Sequence, residues 1–469
     1  MMNSIGNSLL SGDKIFTAHE AKTLVAGKLK EIFAAGGTGS VPRILRLEVA
    51  VEEQPLLPWL AAQPHLDKFY LSGREAGDTK TAMIGIALSF HHPENLDYSG
   101  TFAHIRHYLA EGNSQARFYG GFAFAPGHID SDWESFGTSH FFIPRFELVR
   151  RDGQTLFACN VVLNQEKKAE DLHKIRSELE QVRFSGYPEL ALPGKLLSRE
   201  DFPSYREWIR NLTQVGSEIR DHRYQKVVLA RKVVLTFDSA IDPAAVLALL
   251  ADLPSRRYHF LFQFDGKQAF VGSSPERLYK RQGRRIESEA VAGTRLRGKP
   301  GEDDVRLARE LVDSDKDQRE HDFVLDSIET GLRPYCLSLE ADGQKSLLKL
   351  KEGQHLVSYF NGVLKENVTD EMLMATLHPT PAVGGCPPDR ALETIARCEP
   401  FKRGWYAGAI GAVNGHAADF AVGLRSGLID ENRVSLFSGG GIVEGSLPES
   451  EWLELEGKIS NFMNIFNGE

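Results

Sequence analysis

Apolar positions along the chain switch between two periods. Spacings of three and four residues, which align side chains on one helical face, run through "AHEAKTLVAGKLKEIFAA" (18–35), "YREWIRNLTQVGSEIRD" (205–221) and "PESEWLELEGKISNFMNIF" (448–466). In the last of these, Trp452, Leu455, Ile459, Phe462 and Phe466 form the stripe. Dense or alternating apolar runs predict strands at "TAMIGIALSF" (81–90), "RFYGGFAF" (117–124), "HFFIPRFELVRR" (140–151) and "RRIESEAVAG" (284–293). "YHFLFQFDGKQAFVGSS" (258–274) reads as a hairpin, and further strands are predicted over 353–365, 406–414, 419–430 and 433–443. Hairpin-like neighbours mixed with helices predict a mixed α/β chain of the α+β kind, in which antiparallel sheet dominates.

Polar residues interrupt this pattern at informative places. "RYQKVVLARKVVLTF" (223–237) is an apolar strand with Lys226 at its mouth. A lysine there either snorkels to water or is held in a dry place as a reactive amine. One long helix is predicted from Asp303 to Leu332. Its inward stripe of Leu307 and Leu311 turns polar at Ser314, Gln318 and His321, then resumes at Leu325 and Ile328. Such a stretch is either a solvated face or the lining of a site.

Glu451, Glu454 and Lys458 recur at i, i+3 and i+7 on the terminal helix, on the face opposite the Trp452–Phe466 stripe. This is an ordinary surface pair, or two carboxylates for a hard cation such as magnesium, joined by Glu320 from the polar helix. "FSGGGIVEGS" and "AVAGTR" predict glycine turns at Gly439–Gly441 and Gly293–Thr294 that bring backbone N–H groups to an anion. Neither has the spacing of a dinucleotide or Walker loop. Glu276, in "GSSPERL", follows a strand and a proline.

Composition narrows the classes. A net charge of −9 argues against a nucleic-acid partner, and no apolar run is long enough to span a bilayer. The start, "MMNSIGNSLLSGDKIFTAHE", has no leader pattern, so a cytoplasmic protein is expected. Cys159, Cys336, Cys386 and Cys398 have no paired spacing and are expected as free thiols. The only weak boundary signal is "ELALPGKLLSREDFPS" (189–204).

The order of "KVVLAR", "GSSPERL", "AVAGTR", "DSDKDQREHDFV", "HLVSYFNGVL", "LHPTPAVGGCP", "RGWYAGAIG", "GLRSGLI", "FSGGGIV" and "EWLELEGK" resembles the chorismate-utilising enzymes, most closely isochorismate synthases. The blocks cover residues 204–469, the expected catalytic region. Residues 1–200 resemble the family's more variable half, where "FYGGFAF" is the familiar block. The resemblance implies one large unit with two sheets packed around a central site and helices outside. It also implies the ring diacid chorismate as substrate and a magnesium ion.

By the same resemblance, Glu320 and Glu454 hold the metal with Glu451 beside them, Lys226 is the general base and Glu276 the general acid. Gly293 and Thr294 receive a substrate carboxylate, and Gly439, Gly441, Arg425, Lys458, Tyr406, His355 and Ala382 complete the pocket. The reaction implied is water addition at C2 with loss of the C4 hydroxyl. Water is a poor nucleophile and hydroxide a poor leaving group, so a base and an acid are needed on opposite faces of the ring. Burial penalises a lysine's charged form and a glutamate's charged form alike, which suits both roles.

Within the family, enzymes that add ammonia at C2 usually carry glutamine at the Lys226 place. A covalent aminating route uses a lysine where this chain has Ala292. No glutaminase subunit is therefore expected. Salicylate synthases, which go on to eliminate pyruvate, share the Lys/Glu pair and are the nearest alternative, but "LHPTPAVGG" and "RGWYAG" favour isochorismate synthase. A non-catalytic binding protein on the same fold is the other alternative. Val383 and Ala412 depart from the residues usual at their places and are expected to alter pocket shape. The motifs serve menaquinone and siderophore synthesis alike.

Overall fold

The computed structural model describes residues 8–9, 14–34, 43–109, 115–128, 130–163, 169–191, 194–252, 256–298, 301–342, 345–349 and 353–467. The stretch read for a leader lies largely outside these residues. The strands at Lys80–His92 and Ser139–Arg151 are the organising pair, antiparallel over their whole length. Beyond that pair the neighbours change. The carboxyl half of Ser139–Arg151 takes Gln154–Leu163 as its outer neighbour, and the amino half takes Phe118–Phe122.

Two sheets therefore diverge from one shared pair of strands. The first continues through Lys68–Ser72, Tyr258–Gln263, Ala269–Ser274, Ser426–Asp430 and Arg433–Ile442 to Lys226–Phe237. The second runs from Phe118–Phe122 through Ala409–Val413, Ala417–Val422 and Arg277–Gln282 to Arg285–Leu296 and Gly353–Leu364. Nearly all pairings are antiparallel, as the hairpin spacing predicts, so the α+β class holds. The four cysteines are free thiols.

The aromatic content packs into the space between the sheets. One core gathers Phe122, Phe141, Phe262, Phe270, Trp405 and Phe420; a second gathers Leu47, Phe157, Leu235, Leu261 and Val434 beneath the helices of the first sheet. No helix among the described residues is long and apolar enough to cross a membrane.

Three expected elements differ. The helix expected to run unbroken from 303 to 332 is two, Glu302–Val312 and Asp315–Leu332. Ser314 caps the second, accepting the Asp317 amide at 3.3 Å, so a residue placed in the inward stripe marks a chain break. The strand expected over 419–430 is also two, because Arg425 adopts φ +48° between Ala417–Val422 and Ser426–Asp430. The boundary candidate at 189–204 contains a strand, Leu196–Phe202, paired with the far end of Lys226–Phe237.

Candidate active site

Lys226 opens a strand whose alternate side chains face opposite ways. Val227 and Leu229 enter the aromatic core, while Lys226 and Val228 face the other side, towards Glu320 and the site. Across the ladder, Gly439 stands opposite Ala230 and Gly441 opposite Val228. Directly opposed residues share a face, so the glycines lie on the Lys226 side. They belong to the strand Arg433–Ile442 and not to the turn expected at "FSGGG".

Their function in the fold is to leave room. A Cβ at Gly439 would stand 2.9 Å from the Tyr406 hydroxyl, and one at Gly441 would strike the Glu320 carboxylate and lie 3.1 Å from Lys226 Cε. Gly293 is likewise inside a strand, at a bulge between Ala292 and Thr294 with φ +71°. Only there does the backbone itself favour glycine.

Above this floor is a cavity. It is lined by Glu276, Gly293, Thr294, Glu320, His355, Ala382, Tyr406, Arg425, Gly439, Gly441, Glu454 and Lys458, among others. Of the residues given a catalytic, metal or substrate role in the sequence, Lys226 and Glu451 do not line it directly. Lys226 is fully buried at its edge, with Nζ 3.1 Å from Glu320 Oε1 but in no aligned hydrogen bond. Glu451 lies in an adjoining cleft that shares Thr294, Arg425, Glu454 and Lys458 with the cavity.

Glu276 sits between Ala269–Ser274 and Arg277–Gln282 and is 5 % exposed. Burial pushes its carboxyl up to about 8, and the neighbouring Glu289 adds to this; Lys226, Arg425 and Lys458 act against it. At neutral pH it therefore carries a proton. His355 is held down to about 3 by burial and by the Arg425 and Lys458 charges, so its imidazole is neutral. Its Nδ1 lies 3.1 Å from Thr294 Oγ1, and its buried Nε2 has no partner.

Glu451 and Glu454 of the terminal helix face inward, not away from the packed side as the stripe suggested. Glu451 and Leu455 are both buried, while Trp452 lies at the flank against Arg231 and Tyr205. Each carboxylate has a lysine: Glu451 with Lys316 at 2.6 Å, Glu454 with Lys458 at 2.7 Å, and Glu320 with Lys226. Burial, then Glu454, raises the Glu451 carboxyl; at Glu454 burial acts upward too, but Lys458, Lys316 and His355 together lower it.

Among the described residues, no three His, Cys, Asp or Glu side chains are grouped closely enough to hold an ion as they stand. The donor chemistry nevertheless suits a hard cation. Glu320 and Glu454 line one cavity, and Glu451 Oε2 is buried without a partner.

Sequence reasoning missed Arg403. Its guanidinium donates to the carbonyls of Val383 at 2.8 Å and Val228 at 2.7 Å, fastening the Ala382–Val383 loop to the Lys226 strand. The quoted block "RGWYAG" contains it, but nothing in its spacing says where a guanidinium points. Lys316, Glu289 and the apolar lining by Val291, Leu424 and Phe437 were missed as well. Of the two departures noted in the sequence, Val383 lines the cavity, whereas Ala412 lines a separate one beside Tyr258 and Asp419.

Comparison with known proteins places this geometry. The chain is 35 % identical over 358 residues to isochorismate synthase MenF of Bacillus subtilis, covering 75 % of this chain and 74 % of that protein. It is 31 % identical over 421 residues to isochorismate synthase MenF of Escherichia coli, covering 88 % and 91 %. The solved structure of MenF, the menaquinone-specific isochorismate synthase from Escherichia coli, superimposes with a TM-score of 0.82 at 28 % identity, covering 94 % of this chain and 99 % of that one. The family profile described as chorismate binding enzyme matches residues 31–467, and with these similarities the chain belongs to that family.

Proposed function

We propose that this protein is an isochorismate synthase, converting chorismate to isochorismate. The observation that carries the reading is one cavity lined by a buried Glu276, whose carboxyl keeps its proton up to about 8, and by Glu320, with the fully buried Lys226 amine 3.1 Å behind Glu320 at its edge. Lys226 takes a proton from the water that attacks C2 of the ring. Glu276 gives its proton to the C4 hydroxyl, which leaves as water, so one water enters and one departs. Stepwise proton movement by positioned side chains is what this exchange needs.

The substrate is a dianion. Arg425, Lys458, Thr294 and the backbone at Gly293 and Gly439 are the groups assigned to its carboxylates, with neutral His355 beside Thr294. Glu320 and Glu454, with Glu451 adjacent, are assigned to magnesium, which when bound supplies charge neutralisation for a substrate carboxylate. Lys226, Lys316 and Lys458 then have to release the carboxylates they now face.

The test incubates the protein with chorismate and Mg²⁺ and separates the products. Isochorismate without pyruvate supports the reading. Salicylate with pyruvate transfers the assignment to salicylate synthase, and no turnover with or without metal overturns it. Chelation by EDTA should reduce the rate at least about 100-fold, with recovery on Mg²⁺ titration. A rate indifferent to EDTA would remove the metal assignment.

A further inference from the structure

Glu276 is gripped on both sides by a single buried ion pair. Arg74 donates from Nη1 to the Pro275 carbonyl at 2.9 Å. The same guanidinium forms a two-pronged pair with Glu289, Nη1 to Oε1 at 2.6 Å and Nη2 to Oε2 at 2.8 Å. Glu289 Oε1 in turn accepts the backbone amide of Arg277 at 2.7 Å. The residue before the acid is thus tied to the arginine, and the residue after it to that arginine's partner.

The pair is out of solvent, its side chains 4 % and 1 % exposed. It also joins distant parts of the chain: Arg74 follows the Lys68–Ser72 strand, and Glu289 lies on Arg285–Leu296. The backbone of Glu276 itself is held by Ser274 Oγ at 3.3 Å and by the Val422 amide at 3.1 Å. A buried ion pair that merely fastened two sheets would have no reason to straddle this peptide. Buried pairs are weak devices for stability, because desolvation offsets most of their attraction.

We propose that Arg74 and Glu289 are positioning residues for the reaction: together they aim the Glu276 carboxyl into the cavity and keep a negative charge beside it. The inference rests on the isochorismate synthase reading, since it assigns the clamp to that reaction's proton donor. The charged groups facing Glu276 are Glu289 from the second sheet, Lys226 from the first, Arg425 from the inter-strand loop and Lys458 from the terminal helix. Glu289 is the only one of these that favours the protonated form, and it comes second after burial.

The experiment measures kcat, KM and melting temperature from pH 6 to pH 10 for two variants beside the unaltered protein. Glu289→Gln keeps an acceptor for Arg277 and removes the charge. Arg74→Met combined with Glu289→Met leaves neither partner charged, which avoids an orphaned buried ion.

In both, kcat should fall about tenfold or more with KM within about threefold, as expected when a proton donor is misplaced and binding is not. The alkaline limb of kcat should move about one unit toward lower pH, because Glu276 loses its proton sooner without the negative neighbour. If the single variant does not fold, the double variant decides.

A folded variant with kcat within about twofold of the unaltered protein and an unmoved alkaline limb overturns the clamp. So does a lowered melting temperature with the limb in place, which is what a purely structural pair gives. An active unaltered protein with unaffected variants sinks the clamp alone; an inert unaltered protein sinks the clamp and the functional reading together.

Discussion

Glu276 holds a proton at neutral pH because its burial and the adjacent Glu289 both disfavour the carboxylate. That state has an energetic consequence for folding. In the unfolded chain the group titrates near 4.5, and in the folded protein near 8. Between those values the folded form binds the extra proton, so stability is full below the lower value and is lost as pH rises through the upper one. The loss is on the order of 5 kcal/mol by pH 9. Glu276→Gln, which cannot ionise, should therefore melt close to the unaltered protein at pH 5 and clearly above it at pH 9. Its turnover should fall at least about 100-fold at every pH, since general acid catalysis is worth that much. Melting curves at the two pH values check the first part. A difference that does not grow with pH would mean the carboxyl is not held protonated. The sequence exposed Lys226 well, since a lysine interrupting an apolar run is visible in one dimension. It exposed Glu276 only through family likeness, because Glu289 and the cavity wall that set its proton affinity are brought in by folding.

Elements supply the space these groups work in. The strand Arg433–Ile442 contributes three consecutive glycines opposite Leu229, Ala230 and Val228, and the helix Asp315–Leu332 lowers Glu320 onto that bare stretch. A methyl group at Gly441 would meet the Glu320 carboxylate, the far end of a flexible side chain, and lie 3.1 Å from Lys226 Cε. Glu320 can move aside, so the fold should tolerate Gly441→Ala. The site should not, because a displacement of about 1 Å in a reacting constellation costs roughly 100-fold. The expected outcome is kcat/KM lower by about that factor with a melting temperature changed by no more than about 3 °C. Unimpaired kcat/KM would show that the floor has room to spare. Hydrophobic periodicity located this strand and most others within a few residues, because period two and period 3.6 are local properties. It failed where backbone geometry breaks an otherwise continuous pattern. Ser314 fits the phase of the inward stripe yet caps a new helix, and Arg425 takes a left-handed conformation that no apolar spacing encodes. It also assigned Glu451 and Glu454 to the outer face, because a buried carboxylate with a lysine partner looks, in sequence, like a surface pair.

At the scale of the whole molecule, the two halves of the chain do not fold around separate centres. All the residues assigned to chemistry lie after residue 204, but the strands that carry them depend on earlier ones for their edges. Tyr258–Gln263 is covered by Lys68–Ser72, and Ala409–Val413 by Phe118–Phe122. Both edges are apolar and buried: Phe260, Leu261, Phe262, Ala409 and Ile410 are each at most 1 % exposed. Residues 204–469 alone would present these two hydrophobic strand edges, and a third where Leu196–Phe202 covers the far end of Lys226–Phe237, with unpaired backbone N–H and C=O groups along each. We therefore propose that 1–200 and 204–469 are a variable and a catalytic region of one cooperative unit, not two domains that fold alone. Expressed by itself, 204–469 should be insoluble or should elute as aggregate, without a cooperative melt; co-expression with 1–203 should recover soluble material that turns over chorismate. The Arg74–Glu289 pair makes the same dependence chemical, since the earlier region supplies the guanidinium that reaches Pro275. A soluble, monomeric 204–469 fragment with a sharp thermal transition would refute this. Its rate would then tell whether the earlier region contributes to stability, to the aim of Glu276, or to both: a folded fragment with full turnover removes both contributions, and a folded but inert one leaves the second.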